Sequence, residues 1–315
     1  MPRLSRRALL AGAAALAACR PEPSPMTAAR ADAAPGNFVV VDGVPIHFAR
    51  AGSGHPLCLI HGASGNLNDM TFRLAPALAE RYDVIAVDRP GHGRSGLPPG
   101  GGVSINRQAA LIRGALAALG VARTIVVGHS YGGSVALAWA VDAPETVSAL
   151  TLVSAPSQVW EGGLGLTNDL LASAVTGPLL AHAIPPFVGA GMADRALATV
   201  FAPQAAPPGY LDHLDLGLVL QPASLRENAR QLVALKEELR PMVPAYARLD
   251  MPVEILHGEA DRTVGLDIHA VPLARQIPGA RLTRLPGIGH MPHQVATDRV
   301  VAGIDAAASR IGAPG

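Results

Sequence analysis

One serine stands in a setting that indicates covalent chemistry. Residues 128–132 read Gly-His-Ser-Tyr-Gly; the apolar run 124–127 precedes them, and a stretch with helical periodicity follows. A strand, a sharp turn and a helix in this order hold a serine side chain above the end of a sheet, and the flanking glycines leave room for the neighbouring chain. The spacing therefore predicts Ser130 as a nucleophile. The backbone N–H of Tyr131 would then donate to the oxyanion that forms when the serine attacks a carbonyl.

The nucleophile needs a sheet beneath it, and the hydrophobic pattern predicts one. From residue 57 onward, short apolar runs alternate with helical stretches, which is typical of parallel strands buried on both faces. A hairpin around Asp42-Gly43 precedes them. The predicted strands are 38–41, 44–49, 57–60, 84–87, 124–127, 149–153, 253–256 and 281–285, and the predicted helices are 72–80, 106–119 and 131–141.

The alternation breaks once, between residues 157 and 250, which we call the insertion. Leucine- and alanine-rich helical segments are interrupted there by Pro and Gly, and no strand is apparent, so we predict a helical lid over the sheet. The insertion also holds several of the chain's few aromatic residues, namely Trp160, Phe187, Phe201, Tyr210 and Tyr246. They fit either an apolar substrate pocket or plain packing within the insertion. Trp160 is the candidate substrate-binding residue because it follows a predicted strand end closely.

With these elements around Ser130, residues 37 to 311 resemble the α/β-hydrolase family. The resemblance implies an α/β fold with a mostly parallel central sheet, helices on both faces and a helical lid. It also implies an oxyanion-hole loop after an early strand, and the segment 61–66, His-Gly-Ala-Ser-Gly-Asn, stands at that place. Ala63 would supply the second backbone donor, and His61 would shape the loop rather than act as a base.

The same resemblance implies the acid and the base, in the chain order Ser, acid, His. Asp261 closes a His-Gly-x-x-Asp loop after the strand 253–256, and His290 follows the last strand. His290 would take the serine proton, and Asp261 would fix the imidazole tautomer and stabilise its cation. Asp267 and His293 are the nearest rivals, and each is interpreted as a solvated loop residue. His257, in the acid loop, is interpreted as structural.

Two patterns point to other chemistry, and neither is favoured. Residues 91–96 match the Gly-x-Gly-x-x-Gly dinucleotide pattern, but the following Leu-Pro-Pro-Gly-Gly-Gly cannot form the helix that would hold a pyrophosphate. His290-x-x-His293 has no third metal ligand nearby in the sequence. We therefore expect no cofactor and no metal.

The first residues are interpreted as an export signal. Residues 1–7 carry three arginines and residues 8–18 are apolar, which is the pattern of a signal peptide. Leu-Ala-Ala-Cys at 16–19 resembles a bacterial lipobox, which predicts lipidation at Cys19; an ordinary signal peptide with a chance cysteine is the alternative. Ser-Arg-Arg at 5–7 resembles a twin-arginine signal. Residues 20–36 read as a flexible tether, so the catalytic domain is predicted at 37–312, in the cell envelope.

Composition narrows the choice of partners. The chain has 25 basic and 24 acidic residues, a formal net charge of +1, which gives no electrostatic basis for binding nucleic acid. We predict a carboxylesterase for a small to medium, largely apolar ester. A carbon–carbon bond hydrolase, an amidase or aminopeptidase, and a cofactor-free haloperoxidase stay open, as does a membrane-tethered binding protein on a hydrolase scaffold.

Overall fold

The predicted apolar runs pair into one sheet of eight strands in the computed structural model, which describes residues 37–101 and 103–312. The strands are β1 (Asn37–Val41), β2 (Val44–Ala51), β3 (His55–Ile60), β4 (Tyr82–Val87), β5 (Thr124–His129), β6 (Val147–Val153), β7 (Val253–Gly258) and β8 (Arg281–Leu285). Their order is β1-β2-β4-β3-β5-β6-β7-β8. β2 runs antiparallel to β1 and β4, and the other pairs are parallel. The α/β fold is confirmed. The predicted signal peptide, Cys19 and the tether 20–36 lie outside the described residues.

The order of the parallel strands reverses at β3. β4 pairs with one side of β3, and β5 pairs with the other, so the loops that leave the carboxyl ends of β3 and β5 diverge and open a crevice. Ala63 follows β3, and Ser130 follows β5 directly. The parallel strands β7 and β8 end at the same edge and are followed by Asp261 and His290. The topology thus brings the loops that carry all four residues to one edge of the sheet.

Helices cover both faces of the sheet. Outside the insertion they are α1 (Leu67–Phe72), α2 (Leu74–Leu78), α3 (Ile105–Ala118), α4 (Tyr131–Asp142), α11 (Ala270–Gln276), α12 (Pro292–Val295) and α13 (Thr297–Ala308). Buried side chains of α3, α4 and α11, such as Ile112 and Trp139, pack against one face. Side chains of α1, α2 and α13, such as Met70 and Ile304, pack against the other. Strands covered in this way read as continuous apolar runs, as the sequence showed.

The described residues of the insertion form helices joined by turns and loops, with no strand. It contains α5 (Leu166–Ala172), α6 (Gly177–Ala183), α7 (Ala190–Phe201), α8 (Tyr210–Leu214), α9 (Leu216–Val219) and α10 (Pro222–Leu239), with 3-10 turns at Pro185–Phe187 and Val243–Arg248. Leu171 of α5 and Ala181 of α6 pack against Ala229 of α10. The outer side of the same helices exposes large apolar side chains, Leu166 and Leu179 among them. Of the aromatics singled out above, Phe201, Tyr210 and Tyr246 are buried and Phe187 is exposed.

The first helical segment differs from its prediction over 72–80. Two short helices stand there instead, α1 and α2, which meet at Arg73. α1 begins earlier because the side chain of Asn66 accepts a hydrogen bond from the N–H of Asn68 at 2.9 Å and so caps the helix.

Within residues 37–101 and 103–312, no single helix is long and apolar enough to cross a membrane. One bent pair, Leu166–Ala172 with Gly177–Phe187, meets the length and composition criteria together, with an angle of 111° between its parts.

The fold depends on central strand residues such as Leu59, whose side chain is completely buried in β3. We expect Leu59→Ala to lower the free energy of unfolding by about 2–5 kcal/mol, because it removes buried methyl groups and leaves a cavity. Leu166→Ala, at a side chain 71% exposed, is the matched control and should change stability by less than about 0.5 kcal/mol. Urea unfolding monitored by circular dichroism measures both values, and equal losses in the two variants would contradict this view of the core.

Candidate active site

Ser130 occupies a left-handed turn between β5 and α4. Its φ is 48° and its ψ is −124°, a backbone conformation that non-glycine residues rarely adopt. The chain passes so close here that a Cβ on Gly132 would collide with the backbone carbonyls of Ile60 and His61. Gly132 is therefore required by the approach of α4 to the end of β3, and Gly128 is required because an added Cβ there would collide with Gly132.

The serine is hydrogen-bonded to the predicted base. Nε2 of His290 lies 3.0 Å from Ser130 Oγ, and Nδ1 of His290 lies 2.8 Å from Asp261 Oδ2. With Nδ1–H donating to the carboxylate, Nε2 is free to accept the serine proton. The rival acid Asp267 is exposed and pairs with Arg284 at 3.2 Å, as its interpretation as a solvated residue requires.

The environment of Asp261 keeps this carboxylate ionised. The N–H groups of Thr263 and Val264 donate to its Oδ1 at 2.8 and 2.9 Å. Nε2 of His257 lies 3.4 Å from Oδ2. Burial by itself would raise the pKa of Asp261, but hydrogen bonds from His257 and His290 outweigh it and hold the pKa below its usual range. The group is therefore an anion at neutral pH, suited to stabilise an imidazolium.

Two residues near the serine carry the predicted backbone donors. Tyr131 is the first residue of α4, so its N–H has no acceptor within the helix. Ala63 lies in the loop after β3, and its neighbour Gly62 packs so close that an added Cβ would stand 3.2 Å from the Ser130 Cβ. The structure thus brings both predicted donor residues to the nucleophile.

His293 corrects one expectation, because it is fully buried and not solvated. The short helix α12 places its Nε2 3.0 Å from Asp69 Oδ1. The hydroxyl of Tyr210 and the amide of Gln294 donate to the same oxygen at 2.8 and 2.9 Å. Burial alone would raise the pKa of Asp69, but His293, His129 and Tyr210 together lower it. No local spacing could indicate this pair, since 224 positions separate the two residues.

This buried network reaches the base through His129. Its Nε2 donates to the backbone carbonyl of His290 at 3.0 Å, while its Nδ1 lies 3.9 Å from Asp69 Oδ2. Burial, then the nearby imidazoles of His293 and His290, hold the pKa of His129 well below its usual range. Ligand atoms of Asp69, His129 and His293 lie within 4.8 Å of one another, so the fold supplies what the sequence pattern lacked, a cluster near enough to share a metal. Because His293, Tyr210 and Gln294 already hydrogen-bond to Asp69 Oδ1, we interpret the cluster as a hydrogen-bonded network.

Trp160 lies at the start of the insertion against polar partners. The Trp160 ring centroid lies 5.8 Å from the His269 ring centroid and 5.6 Å from Nζ of Lys236. The N–H groups of Ser157 and Gln158 both donate to Nδ1 of His269 at 3.2 Å. These are packing contacts, and a role for Trp160 in binding substrate stays a prediction.

Comparison with known proteins agrees with this architecture. Residues 55–171 match the family model for the alpha/beta hydrolase fold. The chain is 30% identical over 277 residues to the magnesium-chelatase 30 kDa subunit of Rhodobacter capsulatus, covering 86% of this chain and 90% of that protein. It is 42% identical over 123 residues to the dihydrolipoyllysine-residue acetyltransferase component of the acetoin cleaving system of Cupriavidus necator, covering 39% of this chain and only 32% of that protein.

A solved α/β-hydrolase fold protein from Burkholderia ambifaria superposes with a TM-score of 0.72 at 26% identity, covering 85% of this chain and 96% of that one. The strand order and the loops at the carboxyl ends of the strands are those of α/β hydrolases. The chain belongs to the α/β-hydrolase fold family.

The buried His269 should make the free energy of unfolding depend on pH. Burial lowers the pKa of His269 to about 4. The unfolded chain then binds more protons than the folded one between pH 6.5 and 4, so the free energy of unfolding falls as pH falls through this range. We expect His269 to account for a loss on the order of 1–2 kcal/mol between pH 7 and pH 5. His269→Asn keeps an acceptor oxygen but cannot titrate there, so its urea-unfolding free energy should fall less over this interval. An equal fall in the wild type and the variant would contradict the assignment.

Proposed function

We propose that this chain is a serine hydrolase that cleaves carboxylic esters through an acyl-enzyme. The observation that carries the proposal is the unbroken hydrogen-bonded series from Ser130 Oγ through His290 to Asp261, at 3.0 and 2.8 Å. A serine hydroxyl is a weak nucleophile by itself and needs an adjacent base that is oriented by a third group. The three side chains meet that requirement, and Ala63 and Tyr131 are the proposed backbone donors to the oxyanion.

The mechanism divides the hydrolysis into two steps. In the first, Ser130 Oγ attacks the ester carbonyl as its proton passes to His290 Nε2, and the N–H groups of Ala63 and Tyr131 stabilise the oxyanion. The imidazolium then protonates the departing alkoxide, which leaves as an alcohol. In the second step, water attacks the acyl-enzyme, gives a proton to His290 and releases the acid together with Ser130. Asp261 remains ionised throughout.

A small to medium, largely apolar acyl group fits the surroundings best. The insertion holds several of the chain's few aromatic residues, and an apolar site gains about 0.8 kcal/mol for each substrate methylene it buries. The test is a panel of p-nitrophenyl esters from acetyl to dodecanoyl, measured as kcat/KM, with amides and carbon–carbon bond substrates alongside. Highest activity on esters of four to eight carbons supports the proposal. Preference for an amide or a carbon–carbon substrate would favour those hydrolases, and no turnover with no fluorophosphonate labelling would favour a binding protein.

The nucleophile assignment predicts the result of one substitution. We expect Ser130→Ala to lower kcat by about 10⁴-fold or more, as loss of a triad member does, and to abolish fluorophosphonate labelling. Ser154→Ala is the matched control, because Ser154 also follows a strand with a φ of 48°, is buried, and has no hydrogen-bond partner for its hydroxyl. Ester hydrolysis and labelling should persist in that variant. Loss of activity in Ser154→Ala alone would move the nucleophile to the other serine.

We also propose that the protein is exported and held at a membrane by a lipid on Cys19. The three arginines, the apolar run and the Leu-Ala-Ala-Cys sequence support this. Stable anchoring requires more than one acyl chain, which is what a bacterial lipoprotein carries.

Replacement of Cys19 tests the anchor. Cys19→Ala should shift the protein from the membrane fraction to the soluble exported fraction, or stall its processing, in fractionation with immunoblotting. Cys58→Ala is the control, because Cys58 is completely buried in β3 and should not affect fractionation. A fully processed Cys19→Ala protein that still pellets with membranes and resists salt would contradict lipid anchoring.

A further inference from the structure

The loop after β4 contains a buried arginine that the hydrolytic mechanism leaves unexplained. Arg89 belongs to the segment Asp-Arg-Pro-Gly at 88–91, next to the glycines that resemble a dinucleotide motif. Its side chain has no solvent exposure. Burying a guanidinium is costly unless its surroundings satisfy it, so its contacts should reveal what it does.

Two of those contacts are with residues close to Ser130, namely Gly62 and Tyr131. Nη2 of Arg89 donates to the backbone oxygen of Gly62 at 3.1 Å. The guanidinium carbon lies 4.4 Å from the centroid of the Tyr131 ring, within the range of a cation–π contact. Gly62 immediately precedes Ala63, so one side chain touches the peptide that carries one oxyanion donor and the residue that carries the other.

His61 holds the same carbonyl. Its Nε2 lies 3.0 Å from the backbone N–H of Arg89, and its Nδ1 lies 2.8 Å from the Gly62 oxygen. Because Nε2 accepts from an N–H, the proton of the neutral ring must sit on Nδ1, which donates to Gly62. Burial, then the charge of Arg89, lowers the pKa of His61 to about 4 and keeps the ring neutral. The loop thus fixes both the tautomer of His61 and the direction of the Gly62 carbonyl.

A trans peptide is planar, and its C=O and N–H point in opposite directions. Two donors that fix the Gly62 oxygen therefore also fix the N–H of Ala63, on the side away from Arg89. We propose that Arg89 is a positioning residue of the oxyanion hole: it clamps the Gly62–Ala63 peptide and packs on Tyr131, so that both N–H groups are aligned before substrate arrives. This inference rests on the proposed function.

The charge of Arg89 adds to this effect. Burial lowers its pKa to about 10, so the side chain is still a cation at neutral pH. A cation that hydrogen-bonds to the carbonyl polarises the peptide and strengthens its N–H as a donor. The clamp therefore favours the charged intermediate over the neutral substrate, which is the requirement for a higher rate rather than tighter binding.

The insertion supports the clamp from above through α10. Oε1 of Gln231 accepts from Arg89 Nη1 at 2.7 Å, and Asn228, one turn earlier, accepts from the N–H of Ser64 at 2.7 Å. Both side chains lie on the same face of α10 because they are three positions apart. The side-chain oxygen of Gln108, in α3, also accepts from Arg89 Nη1, at 2.9 Å.

The test compares turnover with binding of an alkyl boronic acid to the full chain. Ser130 Oγ adds to boron, its proton passes to His290, and the anionic boronate presents a hydroxyl oxygen to the hole, so affinity reports oxyanion stabilisation without turnover. Loss of one oxyanion donor costs about 10²–10³ in kcat. We expect Arg89→Met to lower kcat by about 10- to 100-fold with little change in KM, and to weaken boronate binding by a similar factor. Arg89→Lys should recover part of both.

Two further variants keep the test decisive. Gln231→Leu removes one support of Arg89 and should show a smaller loss with the same pattern, which settles the matter if Arg89→Met fails to fold. Arg310→Met is the matched control, because Arg310 also donates to backbone carbonyls, those of Gly279 and Val253, and should alter neither readout.

The outcomes separate the clamp from the proposed function. Folded Arg89 and Gln231 variants with wild-type kcat, or with lower kcat but unchanged boronate affinity, would overturn the clamp and leave ester hydrolysis intact. A wild-type protein that binds the boronate but hydrolyses no ester would overturn the proposed function, and the boronate affinities alone would then decide on the clamp. A wild-type protein that does neither would overturn both.

Discussion

The strained backbone at Ser130 is the constraint on which the other parts of the site depend. A residue with φ of 48° costs on the order of 1–3 kcal/mol and persists only when its surroundings enforce it. The Ser130 N–H is bonded to the carbonyl of Val153 at 2.9 Å, and the backbone of Gly132 is pressed against the end of β3. The pairing of β5 with both β3 and β6 therefore holds the turn. The same pairing brings the Ala63 loop to the nucleophile, so the geometry of the site depends on the order of the strands in the sheet.

A second constraint comes from the polar groups buried below and behind that turn. Asp69 and Asp261 are each surrounded by donors, and the nearby imidazoles of His61, His129 and His269 are driven towards neutrality by burial. A buried carboxylate without donors would be strongly destabilising, and so would a buried imidazolium without an acceptor. Such a layer rigidifies the loops because each group has few alternative partners.

The sequence was informative where a function depends on local spacing. The elbow around Ser130 and the parallel strands follow from a short motif and from hydrophobic runs, and the resemblance to the α/β-hydrolase family implies the positions of Asp261 and His290. It was uninformative where partners meet only in three dimensions. Asp69 and His293 bond across 224 positions, and the assumption that a loop histidine is solvated failed at His293. The helix predicted at 72–80 was right for Leu74–Leu78 but wrong in its start, because Asn66 caps an earlier helix, a local signal that was available but weak beside the apolar pattern.

The three side chains of the Ser-His-Asp series and the two N–H donors differ in what fixes them. Ser130, Asp261 and His290 each follow a strand end directly or within a short loop, so the sheet sets their positions. The Gly62–Ala63 peptide also lies in a short loop after a strand, β3, and two side chains hydrogen-bond to its oxygen. These side chains are His61, from the same loop, and Arg89, from the loop after β4, and α10 of the insertion in turn contacts Arg89. The insertion thus contacts both halves of the site: α10 reaches the oxyanion loop through Arg89, and Gln204 hydrogen-bonds to Gly287 and Gly289 in the loop that carries His290.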